Sequence, residues 1–158
     1  MKLQVKPSRE LALSRRQAIL SLQAELLALP PEGVRVSEDK VYVPVDATHC
    51  PLRHHFAPHS YGREMFLPRG TVVVGKIHKH SHVNVISQGR VRVLTEGEGA
   101  LELQAPITFV SSPGTKRCVD VLEDTIWTTM HVVSMENPSE SDLPAIEREV
   151  IATDFPEG

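Results

Sequence analysis

The side chains best suited to chemistry lie close together between residues 76 and 84. Every second residue of this segment is polar: Lys76, His78, His80, His82 and Asn84. Because successive side chains of a β-strand point to opposite faces, these residues would share one face. Imidazole nitrogens bind transition metals and transfer protons, while an ammonium group attracts anions. The segment therefore predicts a binding pocket on a β scaffold, but it does not name a reaction.

The segments that must position this pocket have the pattern of short strands. Apolar residues alternate from Val34 to Val45 around a polar cluster at residues 37–40, which predicts a β-hairpin. Turn signals rich in Gly and Pro separate the further strands. We expect those strands at residues 61–67, 71–77, 90–95, 100–103, 107–111, 116–121 and 125–133. Their number and regular spacing predict a small antiparallel sandwich or barrel.

A third histidine is expected near the pocket. The alternation from residue 125 to residue 133 places Trp127, Thr129 and His131 on one face of a strand. If that face points inward, His131 joins the pocket.

Residues 46–60 contain four more histidines and show no consistent period. These are His49, His54, His55 and His59. No spacing among them matches a structural zinc pattern such as Cys-x-x-Cys with His-x-x-x-His. We therefore expect a solvated loop, with one or two of the rings covering the mouth of the barrel.

The N-terminal part of the chain has a helix signature over residues 8–29. Ser14 followed by Gln17 indicates a capping box, and Pro30 ends the helix. Its apolar residues recur at heptad-like spacing: Ile19, Leu22, Leu26 and Leu29. This stripe leaves two alternatives open, since the helix can pack on its own barrel or dock on another subunit.

A second, shorter helix is expected near the C-terminus. Its signals are a cap, an early proline and an apolar pair four residues apart: Asp142, Pro144, Ile146 and Val150. These features divide the chain into a helical arm at residues 1–33, a β domain at 34–135 and a tail with a short helix at 136–158.

Composition excludes several classes of protein. The chain has 158 residues, of which 41% are hydrophobic and 23% charged, which fits one globular domain. It has no run of about 18 apolar residues and no signal-peptide pattern, so we expect no membrane partner and a cytoplasmic location at synthesis. A net charge of -3 argues against a general nucleic-acid binder. Cys50 and Cys118 are expected to be reduced thiols.

Glycine spacing around the pocket segment follows a known pattern. The chain runs Gly70, five residues, Lys76-x-His78, three residues, His82, six residues and Gly89. This spacing resembles the first motif of the cupin superfamily, and Ser-Pro-Gly-Thr-Lys-Arg at residues 112–117 resembles its second motif. The resemblance covers roughly residues 54–133. It implies an all-β fold, an antiparallel jelly-roll (cupin) barrel with a helix at each end.

The resemblance also implies which side chains face the barrel interior. Lys76 and His82 stand where the cupin motif has a metal-binding His and Glu, and Arg117 stands where it has the last His. Only His78 is a direct match. His80 falls in a turn and is expected to face solvent. The two cations, Lys76 and Arg117, would raise the cost of binding a divalent ion beside them.

Three uses of this pocket stay open. In the first, Arg117 and Lys76 bind a carboxylate or phosphate while His78 or His82 donates or accepts a hydrogen bond. In the second, His78, His82 and His131 hold a divalent transition metal, because neutral imidazole suits zinc, nickel, iron and copper. In the third, the histidines only fill space and form hydrogen bonds to loops.

The whole chain is also similar to small single-cupin proteins encoded in tailed phages and prophages. The similar segments are Arg53-His-His-Phe-Ala, Arg63-Glu64, Gly75-Lys-Ile-His78, residues 112–117 and Trp127-Thr-Thr. This similarity implies a non-enzymatic structural or binding module that docks on a larger assembly, with other virion proteins as partners and the virion as a second location. The alternative is a metal-dependent cupin enzyme, an oxygenase or isomerase that acts on a small anionic or carbonyl compound.

Apolar residues on both faces of one segment predict self-association. The residues are Val83, Val85, Val91 and Val93, which alternate with Asn84, Ile86, Arg90 and Arg92. Neither face is cleanly polar, so some outer-face valines need cover from the helix or from a neighbouring chain. We expect a homodimer or a higher oligomer, with a dimer as the smallest unit.

Overall fold

A computed structural model describes residues 6–30, 34–44, 48–153 and 155. Within them, helix α1 spans Arg9–Leu27, a 3-10 turn spans Glu140–Asp142 and helix α2 spans Leu143–Val150. The strands are β1 (Arg35–Ser37), β2 (Lys40–Val43), β3 (Leu52–Ala57), β4 (Ser60–Leu67), β5 (Thr71–Val74), β6 (Ile77–His78), β7 (His82–Thr95), β8 (Gly99–Gln104), β9 (Ile107–Ser111), β10 (Cys118–Val132) and β11 (Ile151–Ala152). The fold is mostly β with a helix near each end, which confirms the predicted class.

The strands form one curled sheet organised by its two longest members, β7 and β10. β10 pairs with β4, β5 and β7, and β7 pairs in turn with β8 and β9. The short strands β6 and β11 form a separate pair. Every described pair is antiparallel except β2 with β5, which is parallel. The predicted antiparallel barrel is confirmed for the other pairs; β2 and β5 are parallel because the β3–β4 hairpin lies between them in the chain and β5 returns in the direction of β2.

The barrel interior is filled mainly by aliphatic side chains packed around Trp127. Leu67, Ile86 and Val121 are completely buried there. Each such side chain stabilises the folded state by about 1.5–3 kcal/mol relative to leaving it exposed. The core thus holds together the strands that carry the polar residues described below.

Strand β7 turns different residues inward in its two halves. Ile86 is buried in the first half, while Val91 and Val93 are buried in the second. The change occurs around Gly89, which has a φ of 89° and lies where the pairing with β10 shifts register. Such an irregularity reverses the faces of the strand beyond it. The expectation of outward valines is therefore wrong for Val91 and Val93, whereas Val83 is 39% exposed.

Helix α1 packs on the barrel of its own chain. Ile19 and Leu26 are buried against Val74 of β5. The prediction of a capping box at Ser14 is wrong, because the helix begins earlier and the Oγ of Ser8 accepts a hydrogen bond from the Leu11 N–H at 3.2 Å. No helix among the described residues is long and apolar enough to cross a bilayer.

The prediction of a loop over residues 46–60 is wrong for residues 52–57 and for Ser60, which lie in strands. Leu52–Ala57 and Ser60–Leu67 form an antiparallel hairpin whose turn contains His59, with a φ of 54°. Burial alternates along β3, so that Leu52, His54 and Phe56 face inward. The period was hidden because a histidine occupies one of the inward positions. Residues 46 and 47 of the expected loop, and Val45 of the expected hairpin, lie outside the described residues.

Two other strand boundaries differ from the prediction. The expected strand at residues 71–77 is interrupted at Gly75 and Lys76, which separate β5 from β6. The strands expected at 116–121 and 125–133 form one strand, β10. At the C-terminus, α2 is present as predicted and buries Ile146 and Val150 against the barrel. The side chain of Asp142 makes no cap to this helix and instead accepts hydrogen bonds from Ser139.

Candidate functional site

Three histidines from three strands meet in the barrel. His78 ends β6, His82 begins β7 and His131 lies near the end of β10. The ring centre of His78 is 4.2 Å from that of His82 and 4.8 Å from that of His131, and the remaining pair is 4.9 Å apart. His82 and His131 are 3% and 5% exposed. The structure thus brings together the three residues considered as metal ligands.

Backbone pairing holds each histidine in place. His78 pairs with Ile151 of β11, and its carbonyl accepts a hydrogen bond from the N–H of Gly114 at 2.9 Å. His82 lies opposite Ser111 of β9, and His131 lies opposite a residue of β4. Side chains on paired strands are held more precisely than side chains on loops.

Two ring nitrogens of the cluster remain outside the hydrogen bonds of the described residues. Nδ1 of His82 lies 3.1 Å from the backbone carbonyl of His80, which can only accept, so Nδ1 carries the proton and Nε2 has the lone pair. Nε2 of His82 and Nδ1 of His78 are both buried without a hydrogen-bond partner among the described residues. Buried polar atoms are rarely left in this state unless they serve a ligand, an ion or water.

Burial keeps the three rings uncharged. It lowers the pKa of His78 to about 2, and the charges of its histidine and arginine neighbours act in the same direction. Burial likewise lowers the pKa of His131 to about 4. It also lowers the pKa of His82, although the hydrogen bond to the His80 carbonyl opposes the shift. Neutral imidazole is the form that binds a metal ion or accepts a proton.

Arg63 is a residue of this site that the sequence reasoning missed. It lies on β4 opposite Thr129 and lines the same cavities as His78. Its charge contributes to lowering the pKa of His78 and His131. The signal was present in the sequence, because alternation over the predicted strand 61–67 places Arg63 on the same face as Tyr61.

Arg117, on the other side of the cluster, is held by a chain of buried hydrogen bonds. Its Nη2 donates to the Oγ of Ser111 at 2.7 Å, and Nδ2 of Asn84 donates to the same oxygen at 2.7 Å. Nε1 of Trp127 in turn donates to Oδ1 of Asn84 at 3.0 Å. This chain fixes the guanidinium beside His82, whose pKa its charge helps to lower.

Lys76, the other cation expected in the pocket, lies at its rim. Its ammonium forms an ion pair with Glu147 of α2, and its side chain remains 30% exposed. The partner comes from a helix 71 residues away in the chain, so local pattern does not reveal it. Lys76 nevertheless lines both cavities described below, as Arg63 does, and Arg63 is the second arginine whose charge lowers the pKa of His78.

Two cavities border the histidine cluster. One, of about 70 Å³, lies in the barrel interior and is lined by His78, His82, Arg63 and Arg117. The other, of about 180 Å³, includes Tyr61 and His131 among its lining residues and is bordered by α2. His78 and Arg63 line both cavities. The cluster is therefore accessible to a molecule of a few heavy atoms.

The remaining histidines contribute little to the cluster. Of the four residues expected in a loop, only His54 lines a cavity, where its Nδ1 lies 2.8 Å from the hydroxyl of Tyr61. His49 contacts Thr71, and both His55 and His59 are exposed. His80 faces solvent, as the motif spacing implied.

Comparisons with known proteins give similarity at the level of the fold. No protein-family model matches the chain, and no curated protein matches it. Among solved structures, KdgF from Halomonas sp. has a TM-score of 0.46 and 17% identity over 70% of this chain and 92% of that one. An RmlC-like cupin with a double-stranded β-helix fold from Methanocaldococcus jannaschii has a TM-score of 0.46 and 11% identity over 64% and 89%. An RmlC-like cupin from Shewanella frigidimarina has a TM-score of 0.46 and 14% identity over 71% and 88%.

The fold is a curled, mostly antiparallel β-barrel with a helix near each end. The solved structures are too distant in sequence to assign a ligand or a reaction to this chain. These comparisons do not test the similarity to phage proteins, which stays a prediction.

Proposed function

We propose that this chain binds a first-row transition metal through His78, His82 and His131 and acts through it on a small anionic or carbonyl compound. The observation that supports the proposal is the convergence of three neutral imidazoles, two of which have buried nitrogens without hydrogen-bond partners. A bound ion would satisfy both nitrogens at once. When bound, such a metal supplies a Lewis acid that polarises a carbonyl or carboxyl oxygen.

The spacing of the rings fits this donor set. Three imidazoles on one face of an ion, with metal–nitrogen distances of about 2.1 Å and right angles between bonds, have ring centres about 4.6 Å apart. The observed separations of 4.2 to 4.9 Å bracket that value. As placed, no three His, Cys, Asp or Glu side chains in the described ranges are arranged to hold an ion. The rings must therefore rotate about their side-chain bonds to bind an ion. This rotation breaks no hydrogen bond of His78 Nδ1 or His82 Nε2, because neither atom has a partner among the described residues.

A hydrogen bond outside the cluster supports the same assignment. Metal-binding histidines commonly donate their second ring N–H to a backbone carbonyl or a carboxylate, which orients the ring and fixes its tautomer. The contact between His82 Nδ1 and the carbonyl of His80 has this form. It leaves Nε2 of His82 as the nitrogen that carries the lone pair.

Charge around the cluster favours an anionic substrate. Arg63 and Arg117 are both close enough to lower the pKa of His78, so both also oppose a dication at that place. An anion bound beside the metal would offset this repulsion and would accept hydrogen bonds from either guanidinium. We therefore infer a substrate that carries a carboxylate or a similar anionic group next to its reacting atoms.

Metal titration tests the proposal directly. We expect purified protein to bind about one equivalent of Zn²⁺ or Ni²⁺ that survives dialysis, as measured by elemental analysis and isothermal titration calorimetry. His78→Ala should lose this binding, because it removes one of three donors. His55→Ala, the same change at an exposed histidine on the outer face, should retain it. Sub-stoichiometric metal in the unaltered protein, or equal binding by both variants, would contradict the proposal.

A strip of exposed apolar residues supports a second candidate, an oligomerising module. Val83, Val110 and Met130 are neighbours across β7, β9 and β10, and Val132 continues the strip. Val110 is 67% exposed and Val132 is 81% exposed. A contiguous apolar strip on an outer sheet face is typical of an interface. The strip supports self-association, with a homodimer as its smallest form.

Light scattering tests this second candidate. We expect a mass of at least two chains at micromolar concentration. A double change of Val110→Glu and Val132→Glu should shift the protein to a single chain, because it places like charges on both sides of a two-fold interface. Val36→Glu, at a valine that is 67% exposed elsewhere, serves as the control. A mass of one chain for the unaltered protein at every concentration would exclude the dimer. The proposed docking on a virion is a separate prediction.

A further inference from the structure

A third cavity, of about 460 Å³, opens between β8 and β9, and Arg117 lines both this cavity and the interior one. β8 pairs with residues 90–95 of β7, whereas β9 pairs with residues 82–86. The two strands therefore follow different halves of β7 and leave a cleft between their inner faces. The volume of this cleft lies in the range of about 300–1,000 Å³ that is usual for small-molecule sites.

One wall of the cleft is apolar and incompletely covered. Leu101 pairs with the buried Val93, and Leu103 pairs with a buried valine as well, so both lie on the inward face of the sheet. Leu101 nevertheless is 40% exposed, and Leu103, Ile107 and Phe109 are only half buried. Inward-facing apolar side chains that remain in contact with water indicate space for the hydrocarbon part of a ligand.

The cleft contains a cationic group. Arg117 lies there with the hydroxyl of Ser111 at 2.7 Å and the ring of Phe109 at 5.7 Å from its guanidinium carbon. No carboxylate in the described ranges lies within ion-pairing distance of Arg117. Two acids also line the cleft. Glu96 is paired with Arg16 at 2.5 Å. Burial lowers the pKa of Arg117, and Glu98 is near enough for its charge to raise it.

We propose that this cleft binds an organic monocarboxylate, with the carboxylate on the guanidinium of Arg117 and the hydrocarbon along the wall of Leu101, Leu103 and Phe109. A carboxylate there makes charge-assisted hydrogen bonds in a place that is partly shielded from water. Arg117 also lines the interior cavity together with His82, so the bound acid adds a substrate class to the metal site proposed above. Binding of the acid itself does not require the metal, because Arg117 and the apolar wall supply the contacts.

Calorimetry with metal-free protein and octanoate tests this inference. We expect one equivalent of octanoate to bind. Acetate lacks the hydrocarbon and octanol lacks the charge, so each should bind at least about tenfold more weakly. Arg117→Met should weaken octanoate binding about tenfold or more, since it removes the charge but keeps a side chain of similar length. Arg92→Met is the matched control, because Arg92 is an exposed arginine paired with Glu102 outside the cleft.

A second variant keeps the test decisive if Arg117→Met does not fold. Leu101→Glu places a negative charge in the apolar wall at a position that is 40% exposed and therefore tolerant of a polar side chain. It should also weaken octanoate binding about tenfold. Equal affinity for octanol and octanoate, equal affinity for acetate and octanoate, or unchanged binding in a folded Arg117→Met variant would each overturn the inference.

The same variants separate this inference from the proposed metal site. His78→Ala should abolish metal binding but retain octanoate binding. Leu101→Glu should weaken octanoate binding but retain metal binding. Metal binding without octanoate binding would overturn the organic-acid inference alone. Octanoate binding without metal binding would overturn the proposed metal site alone.

Discussion

An alanine at position 89 is expected to destabilise the protein by about 3–5 kcal/mol. Gly89 has a φ of 89°, a conformation that side chains with a Cβ rarely adopt. A Cβ added there would lie 2.4 Å from the backbone carbonyl oxygen of Asp124 and 2.7 Å from the Cα of Thr125. Because both atoms belong to the backbone of β10, the clash cannot be relieved by turning a side chain. Chemical denaturation followed through Trp127 fluorescence measures the effect.

Gly97→Ala provides the matched control, since no atom lies within 4 Å of a Cβ at that position. We expect it to change stability by less than about 0.5 kcal/mol. Similar denaturation midpoints for Gly89→Ala and the unaltered protein would show that the bend in β7 does not depend on glycine.

The bend at Gly89 also shows why part of the fold could not be predicted from sequence. His78 and His82 lie together as alternation indicated, although they belong to two strands, β6 and β7, separated by residues 79–81. The same reasoning failed for Val91 and Val93, which lie beyond the register shift. A bulge is set by how two distant strands pair, so no local pattern reveals where the faces exchange.

The candidate site was predictable to the extent that its residues lie on regular strands. His131 was expected through its alternation with Trp127, and the structure places it against His78 and His82. Arg63 obeys the same alternation in β4 but was not considered, since no motif position marks it. Lys76 fits the motif spacing, yet its ion pair with Glu147 draws it to the rim. Contacts of this kind depend on tertiary structure and not on spacing.

Acid is expected to destabilise the metal-free protein steeply below about pH 6.5. Burial lowers the pKa of His131 to about 4 and that of His78 to about 2, whereas the unfolded chain has histidines of ordinary pKa. As the pH falls, the unfolded state therefore binds protons that the folded state does not bind. The free energy of unfolding is therefore unaffected by these histidines above their pKa in the unfolded chain. It falls as the pH drops from that pKa toward their lower pKa in the folded protein.

The expected slope follows from this proton uptake. Each histidine that stays neutral in the folded state lowers the free energy of unfolding by about 1.4 kcal/mol per pH unit below about pH 6.5. Urea denaturation at pH 7, 6, 5 and 4.5 in the presence of a chelator measures the slope. His131→Gln should make it shallower by about one proton, because glutamine does not titrate, while His55→Gln at an exposed position should leave it nearly unchanged. If His131→Gln retained the full slope, the acid sensitivity would come from groups outside the cluster, and the three imidazoles would not be held neutral by burial.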